Sequence, residues 1–272
     1  MKFRLQKTFP QKDFPLLSRE WRWRQFALCH LAAVLLIISF LPGSPLRGMW
    51  DAIDAWGFHV LNGSVAGGGL WAEAAAFANT KLFDVISTAI LVLLLLSYGF
   101  FGRHGNFAWR MSGVVFLGLY MLILVYGRRK LGIGEFDRLS PSLVLEPFFD
   151  LDAMFEDMRV KTRAGSSFPG DHANACMVFV PLLWMLGRKY WGLAALALAP
   201  FFMMPRLIGG AHWLSDALVG GTVFALLIVS WAVYTPLFVK GTSALHVPAM
   251  WKLKILEKCW NAVFRRAEKK SG

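Results

Sequence analysis

Long apolar runs, broken by short stretches of charge, glycine or proline, dominate this chain, and they lack the one-sided polarity that marks a half-buried helix or strand. Three runs have sharp edges: Phe26 to Leu41, Val85 to Phe101 and Met111 to Tyr126. Three more follow, at Ala173 to Leu186, Tyr190 to Met204 and Leu214 to Val239. Only Gly187, Arg188 and Lys189 separate the fourth from the fifth, so that pair reads as a tight membrane hairpin. A crossing takes roughly 20 apolar residues, or about 17 at the short end; the short fourth and fifth runs leave open a re-entrant or buried arm. The expected architecture is an all-α polytopic membrane protein with six transmembrane helices and additional interfacial helices.

The polar positions divide the chain around that core. Residues 1–25 mix Phe and Trp with basic side chains and read as a basic interfacial segment. Residues 26–240 form the six-span domain. Residues 241–272 form a basic tail in which Trp251, Ile255, Cys259 and Val263 approach helical spacing beside Lys252, Lys254 and Lys258, an amphipathic helix for the cytoplasmic leaflet. Between the first two runs, Pro45 to Thr80 carries Trp50, Trp56 and Trp71 among many Ala and Gly residues. It is too broken to span and too apolar for a free loop, which predicts helices at the outer interface. Arg128 to Pro169 is the one long loop, and loops of that length are usually functional or disordered.

Composition agrees with lipid as the solvent: 56% of the 272 residues are hydrophobic and 17% charged, with a mean hydropathy of +0.49. The net charge of +12 would suit nucleic acid, but the basic residues flank the apolar runs, so the expected partners are membrane lipids and no nucleic acid. Lys and Arg collect on one side, in the N-terminal segment, at Arg103 and Arg110, at Arg188 and Lys189, and in the tail. That side is cytoplasmic by the positive-inside rule, with both termini on it. The long loop breaks the rule by carrying its own cations on the outer side, and anion binding explains that. The polar residues ahead of the first run argue against a cleavable signal. Cys29, Cys176 and Cys259 have neither metal nor disulfide spacing, and no nucleotide loop, HExxH or EF-hand pattern occurs.

Two strings carry candidate chemistry on the outer side. Pro205-Arg206-Leu207-Ile208-Gly209-Gly210-Ala211-His212-Trp213-Leu214-Ser215-Asp216 stands at the mouth of the last run. His212 and Asp216 are one helical turn apart and share a face; an Asp accepting one ring N–H leaves the other nitrogen free to attack phosphorus. Arg206 offers its planar fork to phosphate oxygens. Ser166-Ser167-Phe168-Pro169-Gly170-Asp171-His172 opens the fourth run. Its helix-start N–H groups, Gly170 among them, favour an anion, and His172 is placed to protonate a departing oxygen. Arg138, in Asp137-Arg138-Leu139-Ser140-Pro141, and Lys161 or Arg163 supply further cations for a phosphoryl transition state. This scheme requires no metal and no other cofactor.

These residues resemble the type-2 phosphatidic acid phosphatase superfamily. Its third motif, SRxxxxxHxxxD, is matched from Arg206 through His212 to Asp216, with Pro205 in place of the serine. Its second, PSGH, is matched by Pro169-Gly170-Asp171-His172 at the proline and the histidine, with both residues between them changed. Its first, KxxxxxxRP, is poorly kept: Leu139 follows Arg138, and Lys130 is one residue out of register. The resemblance implies that His212 is the nucleophile, Asp216 its orienter, His172 the general acid and Arg206 a phosphate ligand. Within the superfamily, the FPGDH, PRLIGGAHWLSD and DRLSP strings are most similar to the lipid A 1-diphosphate synthase group of Gram-negative bacteria. That implies an inner-membrane phosphotransferase with a periplasmic site, moving the distal phosphate of undecaprenyl diphosphate to the 1-phosphate of lipid A.

Other readings stay open at this level. An isolated His with an Asp one turn on is more often a structural pair, but ionisable groups at the mouths of spans are expensive and usually functional. Asp171 serves equally as a helix cap or as an extra carboxylate beside His172 that favours transfer over hydrolysis. Arg128, Arg129 and Lys130 suit lipid headgroups. With water as acceptor the protein is a lipid diphosphate phosphatase; a transporter or lipid-binding scaffold with histidines as a proton relay is the reading from another class.

Overall fold

The computed structural model describes residues 9–127 and 137–246. Among the described residues the regular structure is helical. In chain order the helices are α1 (Trp23–Phe40), α2 (Arg47–Gly63), α3 (Gly69–Phe77), α4 (Lys81–Phe101), α5 (Phe107–Met121), the single turn α6 (Leu151–Met154), α7 (Asp171–Ile208), α8 (Thr222–Val233) and α9 (237–246). A wide π-helical turn, Leu122–Tyr126, extends α5, and another, Asp216–Gly221, leads into α8. The first motif's Lys130, its neighbours Arg128 and Arg129, and the amphipathic tail from Pro248 lie outside the described residues.

Among the described residues five segments are long and apolar enough to cross a bilayer: Trp23–Phe40, Lys81–Phe101, Phe107–Leu124, Lys189–Ile208 and Asp216–Val233. The fourth run, Ala173 to Leu186, is helical but falls short of that length and hydropathy, so length and composition mark five crossings where the pattern suggested six. Leu28, Leu31, Val34 and Leu35 lie exposed on α1, apolar side chains for which lipid is the compatible surrounding. The last run is also shorter than expected. α8 stops at Val233, and Pro236, which has no backbone N–H to give, separates it from α9.

Helical backbone continues through all 38 residues of α7, and a straight helix of that length would measure about 57 Å. Its two ends nevertheless meet, since His172 and Arg206 both bind the Asp84 carboxylate. The chain therefore doubles back. A Cβ on Gly192 would stand 2.7 Å from the Trp184 Cβ, and one on Gly187 2.5 Å from the Trp191 Cβ, approaches that a straight helix does not make. The reversal falls around Gly187-Arg188-Lys189, where the short break in the apolar pattern put it, and it needs glycine on both sides.

The returning α7 is the hub against which α2, α4, α5 and α8 pack, while α1 lies along α8. Tyr98, Trp109, Leu117, Val178 and Leu182 fill the main core. The N-terminal segment is more than a surface anchor, because Phe9, Phe14 and Leu17 are buried in that same core and Phe9 meets Trp109 edge-on at 5.4 Å. Trp21 and Trp23, stacked at 4.2 Å, stay exposed and keep an interfacial character.

The stretch between α1 and α4 folds into two helices as expected, but it also reaches inward. Asp54, Asn62 and Asn79 are fully buried. Asn62 clamps the long loop: its amide donates to the carbonyls of Phe149 and Ile208, and its oxygen accepts from the Phe149 N–H. Leu151 and Val160 of that loop pack onto Val65, Ala72 and Ala76. Residues 137–169 of the loop are thus an ordered cover over the end of α7.

Candidate active site

Gly210 turns the chain out of α7. Its φ of 76° is a left-handed conformation, and a Cβ there would lie 3.1 Å from Ser142 and 3.2 Å from Phe58 and Phe148. The turn sets His212 beneath the segment that opens α7. His212 Nδ1 lies 2.8 Å from the Ser167 carbonyl oxygen and 3.2 Å from Asp216 Oδ2. A carbonyl only accepts, so Nδ1 carries the hydrogen and Nε2 keeps its lone pair. The side chain is therefore held in the tautomer a nucleophile needs, by two acceptors and not one.

Asp216 is fully buried; it also accepts from the Trp213 N–H at 2.9 Å and from Arg138 Nη1 at 3.1 Å. Arg138 donates in addition to Ser215 Oγ at 2.8 Å and to Asp54 Oδ2 at 2.6 Å, and its guanidinium covers the Trp213 ring at 4.5 Å. Asp54, on α2, accepts from the Ser215 N–H and hydroxyl at 2.7 and 2.6 Å. Behind His212 there is thus a closed group of two buried carboxylates and one guanidinium. Its hydrogen bonds satisfy charges that would otherwise be very costly to bury.

A second constellation faces it. Asp84, in the first turn of α4, binds His172 Nε2 through Oδ1 at 2.9 Å and takes Arg206 Nη2 on both oxygens at 2.5 and 2.7 Å. A carboxylate oxygen is the acceptor, so His172 Nε2 is the donor and Nδ1 is the nitrogen left for other contacts. Arg206 also donates to the Asn79 carbonyl at 3.0 Å. A cavity of about 640 Å³ opens over these groups, with His172, His212, Arg206, Asp84, Asp171 and Lys161 in its wall.

The expected site residues thus separate. His212, His172, Arg206, Asp171 and Lys161 share one cavity; Asp216 supports His212 from behind. Gly170 caps the start of α7, where a Cβ would be 3.6 Å from His212 Nδ1, so its role is packing under the histidine. Two expected phosphate ligands are placed elsewhere. Arg138 is absent from the cavity wall because its fork is spent on Asp54, Ser215 and Asp216. Arg163 points to the surface, more than half exposed, and pairs with Asp150 at 2.7 Å.

Asp84 and Asp54 are the residues that sequence reasoning missed. Asp84 had a usable signal, a carboxylate at the mouth of an apolar run, hidden when the run was counted from Val85. Asp54 had none, since its partners are 84 and 161 positions away.

Fold and site together define a multi-pass membrane enzyme of lipid phosphoryl transfer: the chain belongs to the PAP2 superfamily, whose family model matches residues 113–237. Over 218 residues it is 31% identical to the lipid A 1-diphosphate synthase of Escherichia coli (strain K12), a similarity that covers 78% of this chain and 88% of that protein. No solved structure matches at a significant level.

Proposed function

We propose that the protein transfers the distal phosphate of undecaprenyl diphosphate to the 1-phosphate of lipid A through a phosphohistidine at His212. The observation that carries the mechanism is the tautomer of His212, with Nδ1–H held by Ser167 and Asp216. The Nε2 lone pair attacks the distal phosphorus; the N–P bond forms, the P–O bond to the bridging oxygen breaks, and His172, in its imidazolium form with Nε2–H held by Asp84, gives its Nδ1 proton to the departing lipid phosphate. An oxygen of the acceptor phosphate then takes the phosphoryl group, and Nε2 recovers its lone pair. Arg206, braced by Asp84, faces the charge that spreads over the equatorial oxygens.

The buried group behind His212 fits this intermediate electrostatically. Asp54 and Asp216 against Arg138 leave one negative charge in excess, and a phosphorylated ring that keeps its Nδ1–H carries the compensating positive charge. Arg138 and Asp54 are then positioning residues that stabilise the phosphoenzyme without touching substrate. The lipid A acceptor is supported by similarity to the E. coli protein over most of both chains.

The site faces the periplasm of the bacterial inner membrane in this reading, and both termini face the cytoplasm, with the fourth run, the outgoing arm of the doubled-back α7, as the sixth crossing. In its support, Pro15 of the N-terminal segment, His104 between α4 and α5, and Lys189 of the α7 reversal line one pocket at the end away from the site. The segments that carry the basic breaks of the chain thus meet at one end, in keeping with the positive-inside rule.

A second reading, hydrolysis, is favoured by the openness of the cavity, where the Asp84 side chain remains 33% accessible and water can enter. Purified protein given undecaprenyl diphosphate labelled on its distal phosphate, with and without lipid A, separates the two. Label in lipid A establishes transfer. Label released only as inorganic phosphate establishes a phosphatase and overturns the proposed acceptor.

A further inference from the structure

The cavity is larger than the chemistry at His212 requires. Its volume of about 640 Å³ falls in the range that encloses most of a ligand with many heavy atoms, whereas the two histidines, Arg206 and Asp84 occupy one part of the wall. Elsewhere the wall holds Lys81, Arg159 and Lys161 together with Asp152 and Glu156. None of these five belongs to a superfamily motif.

Arg159 is held in place by its backbone. It follows the short helical turn Glu156–Met158 and has a φ of 52°, a left-handed conformation unfavourable for a residue with a Cβ. The next two residues fix it there: the Val160 N–H donates to Asp152 Oδ1 at 2.8 Å, and the Lys161 N–H donates to the Asn79 carbonyl at 3.1 Å. Lys81 is the first residue of α4, one turn before Asp84. Among the described residues no hydrogen bond or ion pair engages the side chains of Lys81, Arg159 or Glu156. Two cations on fixed backbone, without partners of their own, face the cavity that holds His212.

The carboxylates narrow the ligand. A bare phosphate is repelled by Asp152 and Glu156, and no group of three His, Cys, Asp or Glu side chains among the described residues is arranged to hold a metal ion. Carboxylates beside cations suit a ligand that brings hydroxyl donors together with a phosphate. Asp152 has Oδ2 left for such a donor, since only Oδ1 takes the Val160 N–H.

We infer that this wall is the acceptor subsite, taking the phosphate-bearing sugar headgroup of a lipid: Lys81 and Arg159 hold the acceptor phosphate and Asp152 and Glu156 accept from sugar hydroxyls. The inference rests on the phosphotransfer reading above. In the second step an oxygen of the held phosphate attacks the phosphorus on His212; the O–P bond forms, the N–P bond breaks, and its electron pair returns to Nε2. A phosphate dianion needs no base for this step. Holding it beside the phosphohistidine gives transfer its advantage over attack by water.

The test measures the ratio of label transferred to label released as inorganic phosphate, using the labelled donor with lipid A in one arm and phosphatidic acid, a sugar-free phosphomonoester, in the other. Arg159→Gly removes the side chain and keeps the left-handed backbone, so folding is not confounded; Lys81→Ala is its companion. Each is expected to raise the KM for lipid A roughly 10-fold and lower the transfer-to-hydrolysis ratio by about as much, the worth of a charge-assisted hydrogen bond. Arg163→Ala, off the cavity, leaves the ratio unchanged. Wild type prefers lipid A to phosphatidic acid, and Glu156→Gln narrows that preference.

An unchanged ratio in the Arg159→Gly, Lys81→Ala double variant, or equal use of the two acceptors by wild type, overturns the subsite. If wild type hydrolyses the donor and labels neither acceptor, the phosphotransfer reading itself fails and the subsite fails with it.

Discussion

The support behind His212 and the outer part of the cavity wall are built on opposite principles. Behind His212 the charges are largely buried and hydrogen-bonded to one another, with one negative charge in excess: Asp54, Arg138, Ser215 and Asp216 interlock through hydrogen bonds of 2.6 to 3.1 Å. On the outer part, Lys81 and Arg159 are exposed, unpaired side chains on a fixed backbone. The inner part is organised before any substrate arrives, which is what electrostatic catalysis asks of a site. The outer part leaves its charges to be satisfied by what binds. In the proposed reading chemistry is thereby separated from acceptor choice, and substitutions in the two parts should fail in different ways.

The largest effect belongs to His212, the proposed nucleophile. His212→Ala should lower donor turnover by roughly 10³-fold or more with little change in the thermal unfolding midpoint, measured as phosphate release and by calorimetry in the same detergent. Asp216→Asn should cost less, about 10²-fold in kcat. A residue that alone fixed the tautomer would cost nearer 10⁴, but here the Ser167 carbonyl also holds Nδ1–H. A loss as complete as that of His212→Ala would show that the Ser167 contact does not orient the ring.

Asp54→Asn keeps shape and removes charge. It should reduce kcat about 10-fold with little change in the donor KM, on the expectation that one buried charge-assisted contact contributes about 1.5–3 kcal/mol. Equal loss in KM would move Arg138 and Asp54 from positioning the histidine to binding the donor. Arg163→Ala should be the mildest, within twofold in rate and within about 0.5 kcal/mol in stability, because its pair with Asp150 is on the surface. A larger effect would place the acceptor beyond the cavity described.

Much of this could be read from the chain before any coordinates. The apolar runs located the long helices, and the break at Gly187-Arg188-Lys189 located the reversal of α7, because a membrane helix has few other ways to turn. The local spacing of His212, Asp216 and Arg206 and the position of His172 were legible because each lies next to the end of a run. What sequence missed was long-range or two-sided. Phe9, Phe14 and Leu17 looked like interfacial anchors because burial in protein and burial in lipid use the same side chains. Arg138 looked like a phosphate ligand because an arginine's fork fits carboxylate and phosphate alike, and its partner Asp54 comes from a helix read as interfacial. The fourth run carried too few apolar residues to settle a crossing by length alone.

The central claim is the covalent intermediate, and trapping it is the most direct test. Wild-type protein mixed with distal-labelled undecaprenyl diphosphate and no acceptor, then quenched within one turnover, should carry label bound to protein, stable to base and lost in acid, that maps to His212 and disappears on chasing with lipid A. Product formation with no protein-bound label, or label that persists in His212→Ala, would contradict the account.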